Sequence, residues 1–194
     1  MLNKDTKTDL KRVNEEEYFH RKERELLEAM SYRQRLESER DQMTEIIGIS
    51  NEEILNGLQE LGYSRETVTL LYLVPLVQMA WTDGGVGKRE RERILAVAKI
   101  HGIEEGSRAY RQLTDWLDNR PSQDFFEKTL HIIHHILEAT SPEKRNANRH
   151  DLVSYCTDIA AASGGILGFG SKISESERLL LEQIASDLDF YGKK

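Results

Sequence analysis

Two related stretches of sequence decide the fold of this chain. The first, Val77–Glu90, reads VQMAWTDGGVGKRE; the second begins as TDIAAASGG at Thr157–Gly165 and resumes after an insertion as ISESE at Ile173–Glu177. In each stretch a helix-forming segment leads into a glycine turn, and one aliphatic residue then precedes an acidic helix start. Duplicated helical hairpins bury their apolar faces on each other. The pattern therefore predicts an all-α, compact multi-helix bundle with an internal helical-hairpin repeat.

The two stretches align residue by residue around their glycines. Asp83 of the first copy aligns with Ser163 of the second, and Glu90 aligns with Glu177. The second copy carries an insertion, residues 166–172, whose two glycines have no counterpart in the first copy. We expect those glycines to let the apolar side chains of the insertion fold back onto the bundle as a flap.

The rest of the chain after its N-terminal segment also reads as helices. Strand-like alternation is absent from the sequence, which places the chain in the all-α class. Ser50 and Glu53 have the spacing of a capping box at the start of a short helix. Further helices are expected at about 64–81 (with a bend or a late start at Pro75), 88–100, 104–118, 122–139, 142–162 and 174–189. Together they form one domain over 50–194, with the repeats near 64–101 and 142–189.

The N-terminal segment, residues 1–49, has a different composition. It carries closely spaced charges of both signs, and its run 15–41 contains no glycine or proline, which predicts one long charged helix. The apolar residues of this helix form a thin, interrupted stripe, namely Leu26, Met30, Leu36, Met43 and Ile47. Such a stripe fits either packing along one edge of the domain or pairing with the same helix of a second chain in a homodimer.

Composition argues against several classes of partner. The formal net charge of −7 argues against binding to nucleic acid, which requires a basic surface. The longest apolar run, Leu70–Trp81, is too short to span a bilayer, so no membrane insertion is expected. The single cysteine, Cys156, favours a reducing compartment, and the N-terminus has no signal-peptide pattern. We therefore expect a cytoplasmic protein.

The first copy of the repeat contains a recognisable motif, Ala-x-x-Asp-Gly-x-Val-x-x-x-Glu, from Ala80 to Glu90. On an all-helical chain, and echoed in a second copy, this motif resembles the TerB-like family of tellurite-resistance proteins. The loop SGGILGFGSKIS, followed by Glu177, is similar to a second-repeat variant of that family. The resemblance covers roughly residues 60–190. It implies a multi-helix fold, a role in tellurite resistance or the general stress response, and an acidic, metal-binding surface.

The acidic residues of the two copies are candidate ligands for a divalent cation. The segment from Asp83 to Glu90 reproduces the second half of a calcium-binding loop, with an acid, a turn glycine, an aliphatic residue and a final acid. A full EF-hand is excluded because Met79 and Trp81 stand where two more oxygen ligands belong. Residues of the second copy would have to complete the site. The candidate ligands are Asp83, Glu90, Asp158, Ser163, Glu175 and Glu177, and the candidate ions are calcium, magnesium, manganese and zinc.

A metal-independent interpretation explains the same residues. Ser174 and Glu177 have the spacing of a capping box, and Glu90 occupies the matching position after Gly87. A glutamate in the first turn of a helix is stabilised by the helix dipole without any metal. On this interpretation the chain is a structural or protein-interaction module whose glycine turns shape a surface for an unidentified protein partner.

Nucleotide binding and catalysis find no support in the sequence. In a phosphate-binding Walker loop the second glycine is followed by lysine and then by serine or threonine, but Gly170 is followed by Ser171 and Lys172. We therefore expect no nucleotide cofactor. Cys156 lies on a predicted buried helix face and no glycine elbow surrounds a serine, so the protein is not expected to be an enzyme.

Three histidines, His131, His134 and His135, lie close together on the helix predicted at 122–139. His131 and His135 are one turn apart, a spacing that can bind a transition metal. A helical wheel places these two side chains away from the apolar face of the helix, with His134 at its edge. We therefore expect a solvent-facing polar surface without a cavity in preference to a metal site.

Overall fold

The computed structural model describes residues 4–163 and 173–189. The apolar flap predicted in residues 166–172 lies outside the described residues. Within them every regular element is helical, which confirms the predicted all-α bundle with a long N-terminal helix. The helices are α1 (Lys4–Ile47), α2 (Glu52–Glu60), a 3-10 helix (Val68–Leu73), α3 (Val74–Ala80), α4 (Lys88–Ile100), α5 (Arg108–Asp118), α6 (Gln123–Glu138), α7 (Pro142–Ser163) and α8 (Glu175–Asp189).

The chain divides into two compact units, Met1–Asp41 and Gln42–Lys194. The first unit consists of most of α1, a helix of 44 residues that runs without interruption because it contains no glycine or proline. Apolar side chains along this helix are exposed, among them Phe19 and Leu26. The second unit includes the C-terminal end of α1, where Met43 is fully buried, and helices α2 to α8.

Helix α3 belongs to the core of the second unit. Every residue of its sequence, VPLVQMA, is buried, and a helix buried on all sides requires such a nearly continuous apolar composition. Helix α3 contacts α4, α6, α7 and α8, while α7 contacts both α4 and α8. The hairpin formed by α3 and α4 therefore packs against the hairpin formed by α7 and α8, and these two hairpins are the two copies of the repeat.

The segment predicted as a helix at about 64–81 starts its α-helical part late, at Val74. Residues Val68–Leu73 form a 3-10 helix, and Pro75 lies in the first turn of α3. Proline is tolerated in a first turn because its missing N–H has no partner there, whereas in a helix interior its ring clashes with the preceding turn. Of the two alternatives for Pro75, a bend or a late start, the structure has the late start.

Helix α2 is capped by Asn51 and not by the predicted Ser50. Asn51 Oδ1 accepts hydrogen bonds from the backbone N–H groups of Glu53, at 2.9 Å, and of Ile54, at 3.2 Å. The predicted capping box of Ser50 and Glu53 was wrong by one residue. A carboxamide oxygen directly before the helix satisfies two of the N–H groups that have no partner within the helix, so the helix starts after Asn51.

Helix α5 begins later than the predicted residue 104. Gly106 has a positive φ of 80°, a left-handed conformation that ends any helical path before it. Ser107 then caps the helix, because its Oγ accepts a hydrogen bond from the backbone N–H of Tyr110 at 3.0 Å.

Candidate carboxylate site

The two predicted acidic helix starts have the same local geometry. Glu90 and Glu177 are each the third residue of their helices, α4 and α8. The backbone N–H of Gly87 donates to Glu90 Oε2 at 2.6 Å, and the backbone N–H of Ser174 donates to Glu177 Oε2, also at 2.6 Å. Both glutamates are buried, with 5% and 1% of their surface exposed. The alignment of the two copies therefore identified structurally equivalent residues.

The two copies differ in the residue that precedes the helix. In the second copy Ser174 Oγ accepts a hydrogen bond from the backbone N–H of Glu177 at 3.2 Å, which completes a reciprocal capping box. In the first copy Gly87 offers no side-chain acceptor. A Cβ atom at Gly87 would lie 2.9 Å from Glu90 Oε2, so the absence of a side chain leaves room for the carboxylate. Only one of the two copies thus has a complete capping box.

The two glutamates lie on helices that pack against the same neighbours, and the charge of Glu177 acts on Glu90. Helices α4 and α8 both pack against α3 and α7. Burial raises the pKa of the Glu90 carboxyl above its ordinary value, and the negative charges of Glu177 and Asp83 raise it further. The hydrogen bond from Gly87 acts in the opposite direction. Glu177 and Asp83 therefore each lie within electrostatic range of Glu90.

The other predicted ligands lie in different surroundings. Glu175 is exposed, and its carboxylate lies 3.8 Å from the guanidinium of Arg178. Asp158 is exposed on α7, where its backbone carbonyl accepts a hydrogen bond from Arg93 Nη1 at 3.0 Å. Ser163 is the last residue of α7, and its side chain lies outside the described residues.

The described acidic side chains do not by themselves form a complete metal-binding site in this conformation. Over the side chains that the structure describes, no group of three or more histidine, cysteine, aspartate or glutamate residues is arranged to hold a metal ion. Charge interaction between Asp83, Glu90 and Glu177 acts over longer distances than direct ligation requires. A bound cation would therefore draw several of its ligands from water or from backbone carbonyls.

Sequence reasoning missed a groove between α2 and α6. Its volume is about 810 Å³, and it is lined by carboxylates of both helices and by His131 and His135. The predicted absence of a cavity beside these histidines was therefore wrong. A helical wheel considers one helix at a time, whereas the groove arises where α2 packs against α6.

A glycine inside α2 is the sequence signal that could have indicated the groove. Gly57 lies in the middle of α2, where glycine is unfavourable without a packing reason. A Cβ atom at this position would lie 3.0 Å from Ile132 Cδ1 of α6, so Gly57 allows the two helices to approach closely. His134, by contrast, is buried, and its Nε2 lies 3.4 Å from Glu138 Oε2.

Cys156 has the environment of a core residue. It is fully buried, as predicted from its helix face, and burial raises the pKa of its thiol to about 12. The thiol therefore stays protonated at neutral pH, and the thiolate that acts as a nucleophile is not formed.

None of the helices that the structure describes combines the length and the apolar character needed to cross a membrane. Comparison of the chain with protein-family models, with curated proteins and with solved structures found no match. The resemblance to the TerB-like family rests on the motif from Ala80 to Glu90 and on its second copy.

Proposed function

We propose that this protein is a non-enzymatic, stress-associated module, similar to the tellurite-resistance TerB family, that binds a divalent cation beside the first turns of α4 and α8. The observation that carries the proposal is the burial of two carboxylates, Glu90 and Glu177, within electrostatic range of each other. The resemblance of the surrounding motif to the TerB-like family supports the role in stress response.

A buried pair of like charges is unfavourable unless a proton or a cation neutralises it. Removing one carboxylate from water costs several kcal/mol, and a second negative charge nearby adds to that cost. Each glutamate accepts one backbone hydrogen bond, which offsets part of the cost. A divalent cation would offset more, because it attracts both carboxylates and also the exposed Asp83. Binding would lower the pKa of Glu90, which burial and like charges raise in the free protein.

The ligand chemistry favours a hard cation that retains water. Asp83, Glu90 and Glu177 offer only carboxylate oxygens, which suit magnesium, calcium and manganese better than soft or nitrogen-preferring metals. Magnesium usually binds proteins through one or two carboxylates and keeps several waters, whereas calcium takes six to eight oxygen ligands. We therefore rank magnesium and manganese above calcium, and calcium above zinc.

Calorimetry and thermal-shift measurements with each of the four ions test the proposal. Glu90→Gln and Glu177→Gln each keep an oxygen for the backbone hydrogen bond but remove one buried charge, so each is expected to abolish the response. Glu175→Gln is the matched control, because Glu175 is exposed in the same first turn of α8 as Glu177. The proposal fails if no ion raises the melting temperature, or if Glu90→Gln responds like the unmodified protein.

The aspartates test which copy supplies further ligands. Asp83→Asn is expected to weaken binding, because Asp83 acts on the charge of Glu90. Asp158→Asn is expected to leave binding unchanged, because Asp158 is exposed and is not among the charges that act on Glu90. If Asp158→Asn weakened binding and Asp83→Asn did not, the cation site would instead lie at the second copy of the repeat.

A second function, that of a metal-independent structural or interaction module, is favoured by the identical 2.6 Å hydrogen bonds at both helix starts. Capping alone accounts for these bonds. On this alternative, the glutamine variants retain near-normal stability and no divalent ion changes the melting temperature. The glycine turns would then shape a surface for a protein partner, and the exposed side chains of α1, such as Phe19 and Leu26, could mediate a homodimer. Sedimentation of the full chain over a range of concentrations tests this association.

A further inference from the structure

Two imidazole rings meet on the exposed face of α6. His131 and His135 are separated by one helical turn, and their Nε2 atoms lie 3.0 Å apart. The ring centroids are 4.4 Å apart and the ring planes are nearly perpendicular, at 89°. His131 is exposed, and His135 keeps 41% of its side-chain surface accessible, so both rings can be reached from solvent.

Two ring nitrogens at this distance form an N–H···N hydrogen bond in the absence of a metal. Their spacing of one helical turn also allows both to bind a single metal ion. In the metal-free state the Nε2–H of one ring donates to the lone pair of the other Nε2, so the accepting nitrogen carries no proton. His135 Nδ1 lies 3.8 Å from Glu138 Oε2, too far for a hydrogen bond that would fix the tautomer of that ring. Either ring can therefore be the donor of the Nε2–Nε2 hydrogen bond. A metal ion binds the unprotonated nitrogen of each ring, so a proton on a metal-binding Nε2 leaves before the bond forms, either to Nδ1 of the same ring or to solvent.

The separation of the nitrogens indicates the class of metal. Metal–imidazole bonds are about 2.0–2.1 Å long, so two such bonds to nitrogens 3.0 Å apart enclose an angle of about 94°. This angle is close to the 90° between neighbouring ligands in tetragonal and octahedral complexes. It is well below the roughly 109° of the tetrahedral geometry that zinc prefers. Copper(II) and nickel(II) bind nitrogen ligands in tetragonal geometry and therefore fit the pair better.

The surroundings of the pair attract cations. Both histidines line the groove between α2 and α6, whose lining includes the five carboxylates of Glu52, Glu53, Glu60, Asp124 and Glu127 and one lysine. That lysine, Lys128, lies 2.9 Å from Asp124 and its positive charge is balanced there. The excess of negative charge raises the local concentration of divalent cations at the mouth of the groove.

We propose that His131 and His135 form a two-histidine site for copper(II) or nickel(II), separate from the carboxylate site at Glu90 and Glu177. The two imidazoles occupy two neighbouring positions of the metal, and water occupies the others. The site requires no rearrangement of α6, because the buried side chains of Ile132 and Ile136 already fix the orientation of the helix.

The test uses the full chain with copper(II) and nickel(II) chloride as probes. Calorimetry gives the affinity, and electron paramagnetic resonance of the copper complex counts the nitrogen ligands. His131→Gln and His135→Gln are each expected to lower the affinity at least about tenfold, because a second ligand held in place acts at high effective concentration. Each is also expected to reduce the nitrogen count from two to one. His150→Gln is the matched control, since His150 is an exposed histidine of another helix, with 83% of its side chain accessible.

Three outcomes would overturn the proposal. The first is unchanged affinity in His131→Gln and His135→Gln, and the second is an equal loss in His150→Gln. The third is a single coordinated nitrogen in the unmodified protein. Glu90→Gln is expected to leave copper and nickel binding unchanged. This variant therefore distinguishes failure of the histidine site from failure of the carboxylate site. Circular dichroism of each variant verifies that α6 is still folded, which is expected because both substituted side chains lie on the accessible face.

Discussion

The substitution Glu90→Gln tests the physical basis of the carboxylate site most directly. Glutamine has nearly the same shape as glutamate and keeps an oxygen that accepts the hydrogen bond from Gly87, at 2.6 Å in the structure. It removes a charge that is buried near Glu177 and Asp83. In buffer without divalent ions we expect Glu90→Gln to unfold at a higher temperature than the unmodified protein at neutral pH.

The magnitude follows from two opposing effects. Replacing a charge-assisted hydrogen bond by a neutral one costs about 1 kcal/mol. Relief of desolvation and of repulsion exceeds this cost, because the pKa of Glu90 is raised overall despite the hydrogen bond. Each 1 kcal/mol of net gain in the free energy of unfolding raises the melting temperature by roughly 2–4 °C for a unit of this size.

The sign of the pH dependence follows from the raised pKa. The folded protein binds the Glu90 proton more tightly than the unfolded chain, whose carboxyl has an ordinary pKa of 4.5. The associated stability is therefore fully present below the pKa of the unfolded chain and is lost as pH rises through the higher pKa of the folded state. The advantage of Glu90→Gln should accordingly shrink toward pH 4 and be largest above the folded pKa.

Urea denaturation between pH 4 and pH 8 in the presence of a chelator measures this difference, with the exposed Glu175→Gln as control. Replacing the chelator with a divalent ion at a free concentration of 100 times its dissociation constant should then stabilise the unmodified protein by about 2.7 kcal/mol and reverse the order of the two proteins. A Glu90→Gln variant that is less stable than the unmodified protein at neutral pH without ions would refute the reasoning. So would a stability difference that does not depend on pH.

Three further substitutions test the local structure. Ser174→Ala removes the acceptor for the backbone N–H of Glu177 and should lower the free energy of unfolding by about 1 kcal/mol, measured by urea denaturation. Arg145→Met should lower the free energy of unfolding by about 1–3 kcal/mol in the same assay. The guanidinium donates hydrogen bonds to the backbone carbonyls of Leu137, at 3.0 Å, and Glu138, at 2.9 Å, at the C-terminal end of α6. An unchanged midpoint would show that water replaces these bonds. Gly57→Val should lower the free energy of unfolding by about 1–3 kcal/mol, because even a Cβ atom there would lie 3.0 Å from Ile132 Cδ1. A stabilised variant would contradict the close approach of α2 and α6.

Features set by local sequence signals were predictable. The bounds of α4, Lys88–Ile100, match the prediction because a glycine turn precedes the helix and Gly102, with φ of 76°, follows it. The equivalence of Glu90 and Glu177 followed from the internal repeat, since aligned copies of a hairpin place aligned residues in the same turn. Alignment within one chain thus located two equivalent glutamates, and the structure adds that both are buried.

Features set by contacts between distant elements were not predictable. The groove beside His131 and His135 depends on how α2 lies against α6; Gly57 in α2 signals that another element approaches closely, but not that this element is α6. The late start of α3 at Val74 was one of two expected consequences of Pro75, and the sequence did not distinguish between them. Similarly, the exposed positions of Asp158 and Glu175 depend on the direction in which α7 and α8 present their surfaces.

The two copies of the hairpin have diverged in a way that bears on where a cation would bind. Glu177 is held by the reciprocal hydrogen bonds of a capping box with Ser174, whereas Glu90 accepts its capping bond from the backbone of Gly87. The first copy also retains Asp83, whose charge acts on Glu90, where the second has Ser163. The two carboxylates accept matching backbone hydrogen bonds of 2.6 Å, so the difference between the copies is the aspartate, whose negative charge also attracts a cation. A cation shared by the two glutamates should therefore lie closer to the first copy, where Asp83 and Glu90 both attract it.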